Sequence, residues 1–201
     1  MDSTIEAIYA RRSVKSFDSS HEITSHEFQK ICQAAMQAPT SFNIQHWRFV
    51  HLNDPDIRNK VRELGFNQAQ ITEASALILL AADTKAWNKN PERYWRDAPK
   101  EVSDVILGMM GKFHEGREWL QRDEAQRSIG MAAQTIMLCA KAMGYDSCPM
   151  IGFDIEEVGK LVNLPEDHVL GPLIAIGKAK APARPKPGQL VYDEVVFENS
   201  F

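Results

Sequence analysis

The stretch ALILLAA, residues 76–82, is the longest apolar run in the chain. It has the length of a strand, and the lack of polar alternation reads as a strand buried in a core. Working outward, Trp47 to Leu52 and Tyr145 to Met150 also read as strands. Val169 to Ile176 reads as another, broken at Gly171-Pro172. Helical signals stand between these strands, so the class is α/β or α+β.

The helical signals are mostly caps followed by apolar periodicity. Ser3 and Glu6 form an S-x-x-E pair ahead of Ile5, Ile8 and Tyr9, and this first helix ends near Arg11-Arg12. Thr24 and Glu27 repeat the pair and open a second helix, with Phe28, Ile31, Cys32 and Ala35 on one face and Pro39 as its stop. Asp54-Pro55 is a cap with proline at the first helical position. Further helices are expected over Lys100 to Lys112, from Trp119 to Met143 ending on Gly144, and from the Asp154 cap through Leu161. Trp87 to Pro99 reads as a surface excursion. No internal repeat or linker divides the chain, so a single domain over 1–201 is expected. Within it, the proline-rich tail 178–201 needs something to lie on, either its own domain or a second subunit.

The 201 residues are 44% hydrophobic and 25% charged, enough for a buried core. A net charge of -4 argues against a broad basic face for nucleic acid. The charged N-terminus lacks the apolar core of a signal peptide, and no run is long enough to span a bilayer. Cys32, Cys139 and Cys148 are too few and too scattered for a disulfide framework, which suits a reducing cytoplasm. His21, His26, His46, His51, His114 and His168 show no metal-ligand spacing, so no metal is expected. Dinucleotide, P-loop and nucleophile-elbow motifs are absent.

Four short blocks carry binding chemistry. RRSVKSFD (11–18) offers guanidinium, ammonium and hydroxyl groups that can hold a phosphate. APTSFNIQHW (38–47) crowds hydroxyl and amide side chains that suit a planar polar ring. CPMIGFD (148–154) joins a strand end, a glycine and a helix cap, whose free amides can meet an anion or ring nitrogen. ARPKP (183–187) is a stiff basic loop. Read alone, each fits an ordinary turn, helix end or solvated tail as well as a site.

In order and spacing together, RRSVKSFD, APTSFNIQHW, PMIGFD and GKAKAPARPKP resemble the nitroreductase family of FMN-binding flavoproteins. The resemblance runs from Ile5 to about Pro187. It implies an α+β fold with a central, mostly antiparallel sheet flanked by helices, and an intertwined homodimer with FMN at the interface. It implies that Arg11, Arg12, Ser13 and Lys15 hold the FMN phosphate, ribityl chain and ring edge, with Arg184 and Lys186 as further phosphate ligands. Pro39, Thr40, Ser41, Asn43 and Gln45 resemble the segment that the partner subunit contributes. Asn67 resembles a ring contact, and Pro149, Met150, Ile151 and Gly152 resemble the backbone beside the reactive flavin nitrogen. Two positions depart from the family pattern: Ile151 stands where some members carry an acid, and Gln70 where a lysine is common. Gln70 removes a positive charge near the flavin, which is expected to lower its potential or change which acceptors bind.

The same resemblance implies an NAD(P)H oxidoreductase. A reduced nicotinamide delivers hydride to the flavin and leaves, and a small acceptor such as a nitroaromatic or quinone takes its place, which is ping-pong kinetics. The flavin carries the chemistry, so no catalytic side chain is expected. Nothing in the sequence separates NADH from NADPH. Phe42, Trp95, Met109, Met110 and Phe113 are candidate acceptor-pocket residues, with Trp87 to Trp119 as a lid. Met109, Met110 and Phe113 fit a plain core equally. Two alternatives remain: a specialised member reducing an enal or aldehyde, and a non-catalytic flavin-binding or sensing module. A purely structural protein without cofactor would leave four ordered blocks to chance.

Overall fold

The computed structural model describes residues 4–201. Ser3 of the first expected cap lies outside the described residues. Helix α1 covers Thr4–Ala10. Helix α2 covers Ser25–Ala35 and opens on the full Thr24/Glu27 capping box. The Glu27 amide donates to the Thr24 hydroxyl, and the Thr24 amide donates to the Glu27 carboxylate. Helix α3 (Pro55–Leu64) starts under the Asp54 carboxylate, which accepts from the amides of Asp56 and Ile57. A four-residue helix α4 (Gln70–Glu73) follows without a side-chain cap. Two long helices come next, α5 (Lys100–His114) and α6 (Glu118–Ala142). Gly144, just past α6, takes the left-handed conformation (φ +79°) that a helix end of this kind requires. Helix α7 (Ile155–Leu161) starts on the expected Asp154 cap.

Four strands form one sheet: β1 (Trp47–His51), β2 (Ala76–Asp83), β3 (Asp146–Met150) and β4 (His168–Gly177). Their order is β1-β2-β4-β3 and all three pairings are antiparallel. This is the antiparallel α+β arrangement expected. Strand β4 is not broken at Gly171-Pro172. It absorbs them in a register shift, where Leu79 pairs with Leu173 but Ala81 pairs with Leu170. Proline lacks the donor that a regular ladder needs, so an irregularity is where it fits. Gly171 is needed for a second reason, because a Cβ there would stand 2.4 Å from Cγ2 of Ile129 on α6.

Every residue of β2 is buried because the strand is covered on both faces. Alternate side chains point to opposite faces of a strand. Ala76, Ile78, Leu80 and Ala82 join a core with Ile31 and Ala35 of α2 and Ile129, Ile136 and Ala140 of α6. Leu77 and Leu79 join a second core with Val61 of α3, Ile71 of α4 and Val158 of α7. Each buried leucine or isoleucine contributes about 1.5–3 kcal/mol by leaving water. β1 and β3 are left as the two edges of the sheet.

Candidate functional site

The β3 edge is extended by residues 13–17. Ser13 bridges to Ser147 in parallel fashion, Val14 donates its amide to Ser147 (3.1 Å), and Phe17 bridges to Ala179. Val14 and Phe17 are buried and fasten the segment to the second core. Ser13 and Lys15 are thereby left exposed. The Arg12 Nη2 donates to the backbone carbonyl of Arg184 at 2.6 Å, which brings the second basic block beside the first.

The result is a cleft of about 290 Å³ lined by Arg11, Arg12, Ser13, Lys15, Arg184, Pro185, Lys186 and Pro187. Among the described residues, five cationic side chains share it and no carboxylate lines it. The Arg11 Nη1 is buried without a hydrogen-bond partner among the described residues. A buried unpaired donor costs about 1–3 kcal/mol, more when charged, unless an acceptor arrives. A phosphate fits these donors in charge and in hydrogen-bonding capacity.

The C-terminal end of β3 carries Pro149 to Gly152, which meets the loop after α3. Phe66 and Asn67 of that loop both have positive φ (56° and 54°), an uncommon conformation outside glycine. Asp154 donates its amide to Leu64 (2.9 Å), and the Gln68 Nε2 donates to the Gly152 carbonyl (2.9 Å). Asn67, Ile151 and Gly152 are exposed beside each other on this end of the sheet. Gln70 is not at the surface. It is 4% exposed, and its Nε2 donates to the Gln68 Oε1 (3.0 Å). Gln68 was missed from sequence, since nothing in its local pattern marks it.

The block 39–45 lies elsewhere. It leads directly into β1, on the opposite edge of the sheet from β3. Phe42, Asn43 and Gln45 all have positive φ (51°, 58° and 55°). Side chains hold this strained turn. The Thr40 Oγ1 accepts from the Gln45 amide (3.0 Å), and the Gln45 Nε2 donates to the Asn43 Oδ1 (3.2 Å). The Asn43 Nδ2 donates to the Tyr94 carbonyl (2.8 Å), and the Trp95 Nε1 donates to the Phe42 carbonyl (2.9 Å). The excursion 87–99 is therefore bolted to the 40–45 turn. Beside it, a second cleft of about 390 Å³ is lined by Gln45, Trp47, Arg48, Arg93, Tyr94 and Arg96, of which only Gln45 was expected in a site.

Of the expected pocket residues, Phe42 contacts Phe113 ring to ring at 5.5 Å. Met109 and Phe113 are exposed. Met110 is not available to a ligand. It is 1% exposed on the inward face of α5, packed with Ile44 and Ala86, and so takes the core alternative. Beneath this turn His46 is fully buried, its Nδ1 3.0 Å from the Ser128 hydroxyl. Burial, with His114 nearby, pushes its pKa down to about 4.

Asp83, Asp167 and His168 come within metal-ligand distance of one another, which their sequence spacing did not suggest. The Lys89 ammonium already sits between the carboxylates, 2.9 Å from Asp83 and 2.5 Å from Asp167. It takes the place and the charge that a cation would.

A family model described as the nitroreductase family matches residues 8–178. The chain is 60% identical over 175 residues to Protein DrgA of Synechocystis sp., covering 87% of this chain and 83% of that one. It is 30% identical to the oxygen-insensitive NADPH nitroreductase of Helicobacter pylori, covering 93% of this chain and 92% of the other. Its fold matches a nitroreductase-type protein of Exiguobacterium sibiricum solved in complex with FMN. That match has a TM-score of 0.89 at 26% identity and covers 98% of each chain. Among the described residues no helix is long and apolar enough to cross a membrane.

Proposed function

We propose, from the premise that the chain belongs to the nitroreductase family, that two copies of it pair to build two flavin sites and reduce a small organic acceptor. It is an NAD(P)H-dependent FMN oxidoreductase. When bound, FMN would supply reversible two-electron chemistry between the reduced nicotinamide and the acceptor. The acceptor we assign is a nitroaromatic or quinone.

The chain's own residues bind, orient and shield. The five cations of the Arg11–Lys186 cleft and the Ser13 hydroxyl would hold the phosphate end. Asn67 and the Ile151–Gly152 backbone, on the same edge of the sheet, would meet the ring. Thr40, Ser41, Asn43 and Gln45 would close the site from the other copy.

One observation carries the pairing. The two halves of the expected site stand on opposite edges of the same sheet, with β2 and β4 between. Three strand spacings separate them by about 14 Å. A two-fold pair brings both halves onto one ring without either chain having to span that distance, which supports the pairing. The tail agrees with this reading. Leu190, Val191, Tyr192, Val195 and Phe197 are each more than half exposed, as are Ile5 and Tyr9 of α1. Apolar surface on that scale suits a partner subunit. The start of the 178–201 extension stays on its own chain through the Phe17–Ala179 bridge and the Arg12–Arg184 bond. We read the rest of it as lying on the other copy, and the three unpaired cysteines as fitting a cytoplasmic protein.

The test is an absorption spectrum of the purified protein before and after anaerobic NADH or NADPH. Flavin bands that bleach support the reading, and the faster donor identifies the preferred nicotinamide. Bands that persist favour a binding or sensing module. A colourless protein that takes up no added FMN overturns the reading.

A further inference from the structure

Gln70 stands where a cation is common in the family, yet it is buried and does not reach the surface of the site. It acts through a neighbour. Its Nε2 donates to the Gln68 Oε1 at 3.0 Å, and the Gln68 Nε2 donates to the Gly152 carbonyl at 2.9 Å. The link from Gln68 to Gly152 crosses 84 positions of sequence.

The chain of bonds has a fixed sense. A primary amide presents oxygen on one side and nitrogen on the other, and the two ends have nearly the same shape. Without a donor at position 70, the Gln68 amide could turn over and set its oxygen against the Gly152 carbonyl. Gln70 prevents this from a rigid base: it opens α4, and its own carbonyl accepts from the Ala74 amide. Hydrogen bonds in series also polarise one another, so the bond to Gly152 is strengthened by the one behind it.

Gly152 is thereby turned in a definite direction. Its carbonyl faces Gln68, and Phe153 beyond it is buried. A Cβ at 152 would lie 3.7 Å from the Gln68 Nε2 and 3.8 Å from the Phe66 ring, so the residue is seated under both. The Gly152 amide hydrogen donates to no group among the described residues. It is a backbone donor held in place with no partner among the described residues.

We propose that Gln70 and Gln68 are positioning residues, a two-amide relay that orients the Gly152 backbone to donate to the flavin ring. The proposal rests on the FMN reading above. It gives a neutral, orienting role to a position where electrostatics alone would look for a charge.

A double-mutant cycle tests it, read by FMN dissociation constant and by midpoint potential, with thermal melts as the check on folding. Gln70→Met removes the first link and Gln68→Met removes both, and each is expected to weaken FMN binding at least about fivefold, the worth of one hydrogen bond. Both are expected to lower the potential. Because the links act in series, the double variant should bind no more weakly than Gln68→Met alone. Gln70→Lys keeps a donor toward Gln68 and should bind FMN within about twofold of wild type. If Gln70→Met does not fold, Gln70→Leu makes the same comparison, since its side chain has no donor. Losses that multiply in the double variant, or an unchanged affinity and potential in Gln70→Met, overturn the relay alone. A wild-type chain that takes up no FMN overturns the flavin reading together with it.

Discussion

The Arg12 guanidinium grips the backbone carbonyl of Arg184 at 2.6 Å and closes a loop of 172 positions. The bond ties the start of the tail to the segment after α1, and it forms one wall of the five-cation cleft. Arg12→Ala removes a charge and releases the 184–187 strap together. FMN affinity should fall at least tenfold, the scale of one charge-assisted hydrogen bond. Limited proteolysis between residues 180 and 190 should quicken in the same variant. Arg12→Lys should recover part of the affinity. Fluorescence-quenching titration measures the first effect, and unchanged affinity in Arg12→Ala would place the phosphate elsewhere.

The opposite-edge arrangement predicts complementation between defective chains. One chain would carry Arg12→Ala with Lys186→Ala, the other Asn43→Ala with Gln45→Ala. Each variant alone should bind FMN poorly. A mixed pair has one site with both halves intact and one with both halves damaged. Differently tagged chains purified as a heterodimer should hold close to one FMN per pair. If the mixed pair binds no better than its parents, the two halves do not come from different chains.

Gly171→Ala tests the contact between β4 and α6. The new methyl would stand 2.4 Å from Ile129 Cγ2, well inside van der Waals distance. Overpacking of this kind costs about 1–3 kcal/mol. The melting temperature should fall by several degrees. Ile129→Ala alone should also destabilise, by leaving a cavity. Together the two changes should cost less than their sum, and additive losses would show that the clash is relieved some other way.

His46 should make stability depend on pH. Its folded pKa of about 4 lies below the ordinary histidine value of about 6.5. The folded state therefore favours the neutral ring. The contribution is complete above about pH 6.5 and is lost as pH falls toward 4. A separation of about 2.5 units corresponds to about 3 kcal/mol at its limit. Urea melts at pH 7.5 and 4.5 should show a smaller acid loss in His46→Phe than in wild type. Equal losses would assign the acid sensitivity to other groups.

Much of the fold was legible because its cues are local. The Thr24/Glu27 box, the Asp54 and Asp154 caps and the Gly144 stop act within four residues of sequence, and each stands where expected. The unbroken apolar run of β2 follows from burial on both faces. What stayed hidden was set by distant parts of the chain. Helix α4 has four residues and no cap, too short for any period to show. Met109 and Met110 are adjacent on α5, and only packing against Ile44 and Ala86 tells which one turns inward. The 11–15, 67–70, 149–152 and 184–186 groups were expected to act together, and all lie toward the β3 edge. Gln68 escaped notice because its partner lies 84 positions away. The Lys89 contact with Asp83 and Asp167 joins residues from two strand ends and the excursion between them.

The bonds from Trp95 to the Phe42 carbonyl and from Asn43 to the Tyr94 carbonyl have an evolutionary consequence. On the proposed function the excursion 87–99 is the place for variation in which acceptor is admitted, and it also props up the three left-handed residues of the 40–45 turn. In the proposed pair, a substitution that reshapes this excursion therefore also disturbs the surface offered to the neighbouring subunit. Under that reading, acceptor range and grip on the cofactor become linked traits, and a lineage broadening one is expected to carry compensating changes in the other.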